Sequence, residues 1–460
     1  MTRDHIELLP QLKKAVRLKP MHGYALVHAR HPSQIRMVDP SHAFFLSLCD
    51  RTLLTSEIAY IYGQTFGLTD VEAKSQVDQL LRLYRQFLTF EAKPNPTERF
   101  SPQKFLYPAD TPAIERATFG KWPVPAGISF TLTFNCNFSC SYCYQDRHQR
   151  SDRRWNLNKC LELLGEAADW GVVFVGLTGG EPTLFDGWLQ VVERTLTLGM
   201  IPAMTSNGTV IGTCPDIALR LAAAGMEEMT ISLDVPSPQL HDQVTRSRGH
   251  FPKVIDAIRF LRAAGIRVVV KSVLTPTTQH AVEETIDLLV DLGVAEVGIS
   301  YMESGAIKSP ANRARKISSK ELARVRNRIE RKREQYAQIC AVHSPKDSIG
   351  KWNDSEWYPC GGINMGMSIF PSGDVAVCDK MHGVRAFTYG NVFSAGLKAI
   401  WDSEAFAVLR ARTANPKVVD PDCARCSKLH LCRTSCFVDS FNVTGSYFCK
   451  APSCGGPFFN

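Results

Sequence analysis

The sequence predicts an α/β protein built on a parallel sheet, and three observations predict it. Six short strand-like runs, at 128–134, 172–177, 201–205, 228–233, 266–273 and 295–301, are separated by helical patterns at about 156–169, 187–199, 215–224, 251–264 and 280–291. Five strand–helix alternations and a sixth strand imply parallel strands joined by crossover helices, in a sheet that is open or curled into a partial barrel. The polar and glycine-rich motifs follow strands, where ligand sites lie in such folds. The chain is 460 residues long, enough for about three domains, and its 44% hydrophobic and 21% charged residues exclude a disordered, collagenous or coiled-coil chain.

Residues 1–92 read as a small mixed module. Tyr24–His28 and Gln34–Val38 are strand-like, with Pro32-Ser33 in the turn between them. Thr69 and Glu72 have capping-box spacing, and Val77, Leu80, Leu81, Tyr84 and Leu88 then recur at helical intervals. Residues 93–126 hold Pro94, Pro96, Pro102, Pro108, Pro112, Pro123 and Pro125 and are expected to be a linker. The sheet and its helices occupy 127–305. Residues 306–354 are basic and helix-prone, with Arg324, Arg326, Arg328, Arg331, Lys332 and Arg333 close together: a solvated helix face, or a surface for an acidic peptide. Residues 355–460 are rich in Cys, Gly and turn signals, so metal is expected to support their fold.

The net charge is only +8, too weak at this length to argue for nucleic acid. No run of about eighteen apolar residues predicts a membrane span, and no apolar h-region follows Met1. These features predict a cytoplasmic protein without nucleic-acid or membrane partners. The fifteen cysteines are clustered, and in a reducing compartment clustered thiols bind metal more often than one another.

The first cluster follows the first strand: Cys136-Asn-Phe-Ser-Cys140-Ser-Tyr-Cys143, a C-x3-C-x2-C spacing. Three thiolates on one tight loop can hold three irons of a 4Fe–4S cube and leave the fourth open to an exogenous ligand. Zinc is the rival, although structural zinc takes four ligands. This loop resembles that of the radical S-adenosylmethionine (SAM) superfamily. The resemblance extends to Tyr142, matching an aromatic near the adenine, and to Thr178-Gly179-Gly180-Glu181-Pro182, matching a glycine-rich loop for the SAM amino group. In such a loop glycines let the backbone approach and a carboxylate pairs with an ammonium. Ser206 and Asn207 after the third strand, and Ser232, Asp234 and Arg246 at and beyond the fourth, are similar to ribose and carboxylate contacts. Arg248 competes with Arg246. The resemblance implies a partial (β/α)6 TIM-type barrel, with SAM and a 4Fe–4S cluster as cofactors and a 5′-deoxyadenosyl radical that takes hydrogen from substrate.

The C-terminal cysteines have their own spacing: Cys360-x12-Gly373-x4-Cys378, then Cys423-x2-Cys426-x5-Cys432-x3-Cys436, and Cys454. This resembles the SPASM extension of radical SAM enzymes, as do Gly390-Asn391-Val392 and Ala399-Ile400-Trp401. The resemblance implies two auxiliary iron–sulfur clusters, expected to be 4Fe–4S: Cys360, Cys378 and Cys436 at the first, and Cys423, Cys426, Cys432 and Cys454 at the second. The first then has an open iron, or Cys449 completes it. Asp379, next to Cys378, is a candidate base. Residues 1–92 resemble the winged-helix-like precursor-recognition element of peptide natural-product pathways, which binds a leader as an added strand. The DNA-binding winged helix is the rival, but 11 Lys+Arg against 9 Asp+Glu over 1–92 is a weak basic excess. The expected function is a maturase that oxidatively cross-links a ribosomally made precursor peptide by a thioether or C–C/C–O bond, with a flavodoxin or ferredoxin as reductant. The alternatives are a formylglycine-generating sulfatase maturase and a non-catalytic peptide-binding protein.

Overall fold

The computed structural model describes residues 9–13, 16–20, 25–30, 33–94, 100–106, 124–145, 154–302, 311, 314, 317–344, 366–407, 420–427, 437–446 and 448–449. The chain divides into two compact units, Met1–Thr118 and Phe119–Asn460.

In the N-terminal unit β1 (Leu9–Leu12) pairs antiparallel with β5 (Leu88–Glu91), and β2 (Val16–Pro20), β3 (Ala25–Arg30) and β4 (Ser33–Val38) form a three-stranded antiparallel sheet. Three helices lie between β4 and β5: α1 (Pro40–Leu48), α2 (Thr55–Phe66) and α3 (Asp70–Leu83). Their ends follow from local chemistry. Asp39 accepts a hydrogen bond from the His42 amide at 3.0 Å, and Pro40 opens α1 where its missing N–H costs nothing. Thr69 and Glu72 form the expected capping box, with Glu72 accepting from the Thr69 amide at 2.9 Å. Gly67 ends α2 at φ 67°, in the left-handed region that favours glycine. Phe45, Leu46, Ile58 and Val77 build a core separate from that of the second unit. Phe105, in the stretch expected to be linker, is buried in this core, so part of the proline-rich segment packs onto the module.

The second unit is organised by one sheet, in the order β12-β11-β10-β9-β8-β7-β6-β13-β14-β15. Its first six strands in chain order are those expected: β6 (Gly127–Thr133), β7 (Phe174–Gly179), β8 (Ile201–Ser206), β9 (Glu228–Ser232), β10 (Arg267–Leu274) and β11 (Glu296–Tyr301). Each pairs parallel with its sequence neighbours. The crossover helices are α4 (Leu157–Trp170), α5 (Trp188–Thr197), α6 (Pro215–Ala223), α8 (Phe251–Ala263) and α9 (Val282–Asp291). They cover the sheet face that carries Ile128, Phe130, Val175, Leu177, Ile231 and Val270. A helix not anticipated from the sequence, α7 (Pro238–Thr245), follows β9. The sheet also runs further than six strands. Parallel β12 (Ala341–His343) extends one edge and parallel β13 (Gly366–Ile369) the other. Strands of three or four residues are too short to carry a readable alternation.

From β13 the chain turns back through β14 (Asp374–Ala376) and β15 (Gly390–Asn391). Gly373 makes the β13–β14 turn at φ 80°, where a Cβ would press on the Phe393 ring and stand 2.7 Å from Asn391 Oδ1. The helix at Leu397–Trp401 fastens this segment to the barrel. Trp401 is fully buried and meets Trp170 of α4 edge-on at 6.5 Å, and Glu166 of α4 accepts from the Leu397 amide at 2.6 Å.

The basic stretch forms α10 (Ser319–Gln335), whose charges turn to α9. Arg328 bonds Glu283 at 2.6 Å and the Gln279 carbonyl at 2.9 Å, while Lys332 pairs with Asp287 at 2.7 Å. These cations fix a helix-to-helix contact, so a free basic face is smaller than the sequence suggests. At the N-terminal ends of the strands, Arg267 bridges Glu228 at 2.6 Å and Glu296 at 2.8 Å, and His343 reaches Glu296 at 3.3 Å. The hydrogen bond from His343, then Arg267, holds the Glu296 carboxyl down at about 2 against the opposing effect of burial. A carboxyl lowered on folding stabilises fully above its unfolded pKa and loses that contribution as pH falls through the folded value. Glu296→Gln is therefore expected to cost on the order of 2 kcal/mol at neutral pH. Urea titrations between pH 7 and 2 should show the two proteins converging below about pH 4.5 as the wild-type carboxyl protonates; a constant difference would assign the effect to packing.

Candidate iron–sulfur and cofactor site at the strand ends

The residues that matter gather at the C-terminal ends of β6 to β10. The cysteine loop leaves β6 directly, and its three thiols are half-buried. The Phe138 amide donates to Cys136 Sγ at 3.4 Å, the kind of N–H···S contact that stabilises a thiolate. Burial, then the charges of Asp234 and Cys143, push the Cys140 thiol up to about 12. Such a thiol is a poor thiolate by itself and becomes one when a cation binds. Among the described residues no three Cys, His, Asp or Glu side chains converge on a point suited to a single ion. Ligands of a cube each bind a separate iron and need no such common point. The donor chemistry of the loop fits a cluster.

The glycines of β7 have a direct steric reason. A Cβ on Gly179 would strike the Thr133 carbonyl, and one on Gly180 would strike the Asn135 carbonyl and stand 2.6 Å from that of Phe134. The two backbones are bonded there, Gly180 N to Thr133 O and Glu181 N to Asn135 O, each at 2.8 Å. Gly-Gly thus lets β7 lie against the chain that delivers Cys136.

Glu181 is the centre of a buried hydrogen-bond network. It is 1% exposed. Its Oε1 accepts from the Thr183 amide (3.0 Å), the Thr183 hydroxyl (2.6 Å) and the Ser206 hydroxyl (2.8 Å), and its Oε2 from the Asn207 amide (2.7 Å). Burial raises its pKa, and these bonds oppose the rise. The network continues outward. Asn207 donates to Asn137 Oδ1, and Asn137 donates to Thr209 Oγ1, both at 2.8 Å. Ser206 and Asn207, two residues expected at the cofactor, therefore join the Glu181 loop to the cysteine loop. From the other side Ser247 donates to the Asn137 carbonyl at 3.0 Å and the Ser139 amide to the Thr245 carbonyl at 2.7 Å. Between these two residues Arg246 caps α7 at φ 52° with an exposed side chain, and Arg248 is exposed as well.

Tyr142 and Asp234 meet. The Tyr142 hydroxyl donates to Asp234 Oδ2, and the Val273 amide donates to Oδ1 at 2.7 Å. Burial moves Asp234 up to about 6 and raises the Tyr142 phenol further above its ordinary value. Ser232, the last residue of β9, lies two positions before Asp234. Tyr144, the residue after Cys143, donates to Asp379 Oδ2 at 2.8 Å, while Asp379 Oδ1 is 3.4 Å from Cys378 Sγ. A second-segment cysteine is thus tied to the first cysteine loop across 235 positions of sequence. Of the other C-terminal cysteines, Cys423 is buried and Cys426 half-buried at the end of the helix Pro421–Arg425. Cys449 is half-buried, with its carbonyl accepting from Ser440 at 2.9 Å. Cys360, Cys432, Cys436 and Cys454 lie outside the described residues.

Asn137, Thr209, Ser247 and Tyr144 were not singled out by the sequence reading. Asn137 and Tyr144 lie inside or beside the cysteine motif and Thr209 ends Thr-Ser-Asn-Gly-Thr, so proximity to the motifs was the available signal.

Comparison with known proteins agrees with this geometry. Residues 130–289 match the model of the radical SAM superfamily, and residues 360–427 that of the SPASM iron–sulfur cluster-binding domain. Among curated proteins, a PqqA peptide cyclase of Streptomyces rochei is 24% identical over 342 residues, covering 72% of this chain and 89% of that one. An AdoMet-dependent heme synthase of Oleidesulfovibrio alaskensis is also 24% identical, covering 71% and 86%. Among solved structures, Streptococcus suis SuiB bound to precursor peptide SuiA superposes with a TM-score of 0.70 at 17% identity, over 97% of this chain and 100% of that one. Native anSMEcpe with bound AdoMet gives 0.56 at 15% identity, over 70% and 94%.

Proposed function

We propose that this chain, a radical SAM enzyme with a SPASM extension, matures a ribosomally made precursor peptide by oxidative cross-linking. SAM and a 4Fe–4S cluster are its cofactors, and the SPASM segment binds iron–sulfur as well. Bound there, cluster and SAM would supply the one-electron chemistry that removes a hydrogen atom from substrate. The chain's own part is placement. Cys136, Cys140 and Cys143 would hold the cluster. The Glu181 network would keep Gly179 and Gly180 against the cysteine loop, and the latch between Tyr142 and Asp234 would keep the loop over β9 and β10.

The observation that carries the peptide reading is the Tyr144–Asp379 hydrogen bond, with Cys378 alongside. It supports a substrate held between the barrel mouth and an auxiliary cluster, where an electron left by oxidative bond formation has somewhere to go. Asp379 would take the proton lost from substrate. The separately cored N-terminal unit supports a leader-binding role by strand addition, since β2 and β4 are both edge strands of its sheet. That unit also counts against a sulfatase-type maturase, because a folded-protein substrate needs no leader grip. The intact Cys136/Cys140/Cys143 loop counts against a non-catalytic peptide binder. Two auxiliary clusters are expected, with Cys360, Cys378 and Cys436 at one and Cys423, Cys426, Cys432 and Cys454 at the other. The first would have an open iron or be completed by Cys449.

The test is mass spectrometry of the precursor peptide after anaerobic turnover with SAM and a flavodoxin or dithionite as reductant. A loss of two hydrogens with a blocked thiol marks a thioether, and the same loss with free thiols a C–C or C–O bond. An unchanged mass, with 5′-deoxyadenosine formed, would overturn cross-linking. Iron analysis tests the auxiliary assignment: three 4Fe–4S clusters require about twelve iron atoms per chain, and a value near four would remove the auxiliary pair.

A further inference from the structure

The curved sheet has two faces. Val268, Val270 and Leu274 of β10 enter the core beneath the helices, so the alternate residues Arg267, Val269, Lys271 and Val273 look into the barrel. The same alternation places Thr131, Thr178, Thr205, Ser232 and Ser300 on the inner face. These five residues are small and hydroxylated. Lys271 is neither. Its side chain is exposed and has no ion pair or hydrogen bond among the described residues. Its position is set by the neighbouring strand: Lys271 is register partner to Gly298 of β11, and a Cβ there would stand 3.9 Å from Lys271 Cγ, so the lysine stem lies beside bare backbone.

Among the described residues, the carboxylates near it are engaged elsewhere. At the closed end of the barrel, Arg267 neutralises Glu228 and Glu296. On the other neighbouring strand the register partner of Lys271 is Ser232, and Asp234 two residues on is held by Tyr142 and the Val273 amide. Solvent balances this ammonium while the barrel is open. A ligand that fills the barrel displaces the water, and an ammonium buried without a counter-charge is costly. The ligand that fits therefore brings an anion to Lys271.

We propose that Lys271 is the residue of the barrel interior that recognises an acidic side chain of the peptide substrate. This inference rests on the peptide-maturase reading, which supplies that ligand. SAM carries a carboxylate too, and the experiment separates it from the peptide.

The full-length, cluster-reconstituted wild type, Lys271→Met and Lys271→Arg are compared, with iron content and melting temperature confirming folded, loaded protein. SAM and decarboxylated SAM are the probes, with affinity read from the change in the reduced-cluster EPR signal. A wild-type preference for SAM over the decarboxylated analogue of about tenfold or more, abolished by Lys271→Met and retained by Lys271→Arg, would place the SAM carboxylate at Lys271 and overturn the proposal. If the peptide is the source, Lys271→Met binds SAM like the wild type but raises the precursor KM about tenfold. Precursor with Asp and Glu changed to Asn and Gln then no longer distinguishes the two enzymes. SAM preference and precursor KM both within about twofold of wild type in Lys271→Met would overturn the proposal. A wild type that forms no 5′-deoxyadenosine at all would overturn the enzymatic reading instead, a result that does not involve the variant.

Discussion

Replacing Cys140 with alanine is expected to abolish 5′-deoxyadenosine formation, leaving the anaerobically reconstituted enzyme at the background of a protein-free control. Cys140 is the middle thiol of the loop. Its pKa rises to about 12 through burial and the nearby negative charges, so the site tolerates its thiolate only opposite a metal. Alanine leaves two thiols on the loop, too few to hold a cluster with one open iron. The fold has independent support nearby, since the Glu181 network and the parallel pairing of β6 with β7 and β13 do not involve the Cys140 side chain. Loss of activity with a near-wild-type circular dichroism spectrum is therefore expected. Retained SAM cleavage would refute the assigned cluster.

The second large effect belongs to Glu181. Glu181→Ala removes the acceptor of four hydrogen bonds inside a buried site. Each buried donor left unpaired costs about 1–3 kcal/mol, and hydroxyls can rotate to other partners while amides cannot. With two amides stranded, a destabilisation of about 3–5 kcal/mol is expected, accompanied by loss of bound iron as the Asn207–Asn137 link loosens. Glu181→Gln separates two roles for this residue. Its carbonyl can keep the bonds at Oε1, but its NH2 then faces the Asn207 amide, donor against donor, at a cost of about 1–2 kcal/mol. If the carboxylate served only to pair the SAM ammonium, Gln would weaken SAM binding and leave the melting temperature unchanged. A lowered melting temperature in the absence of SAM is the outcome expected from the network.

The elements that were legible in the sequence are those with a local cause. The capping box at Thr69 and Glu72 links residues three apart, and the helical patterns of α4 to α6, α8 and α9 repeat within a turn or two. The six strands of 127–301 are long enough to show themselves between turn signals. The brief strands β12, β13, β14 and β15 had no such pattern, and their places depend on partners: β13 is a strand because β6 is available to pair with it. The proline-rich segment was misleading near Phe105, because prolines mark a broken backbone and say nothing about where an aromatic between them is buried. The basic run on α10 was ambiguous for a similar reason. Charge is visible in sequence, but its counter-ions Glu283 and Asp287 stand on another helix some 45 positions earlier.

The same division runs through the site. Sequence alone determined the chemistry: three cysteines spaced for one loop, glycines and a carboxylate after the next strand, and a second cysteine set in the C-terminal segment. Spacing of this kind is covalent geometry, carried by the chain itself. Only the tertiary structure decided what each group does there. It turned Glu181, Ser206 and Asn207 into a hydrogen-bonded frame around the cysteine loop, joined Tyr142 to Asp234 across 92 positions and Tyr144 to Asp379 across 235, and left Lys271 facing the barrel interior without a counter-ion among the described residues. These assignments depend on strand order and register. A one-residue change of register on β10 would turn Lys271 into the core and Val270 or Ser272 toward the ligand.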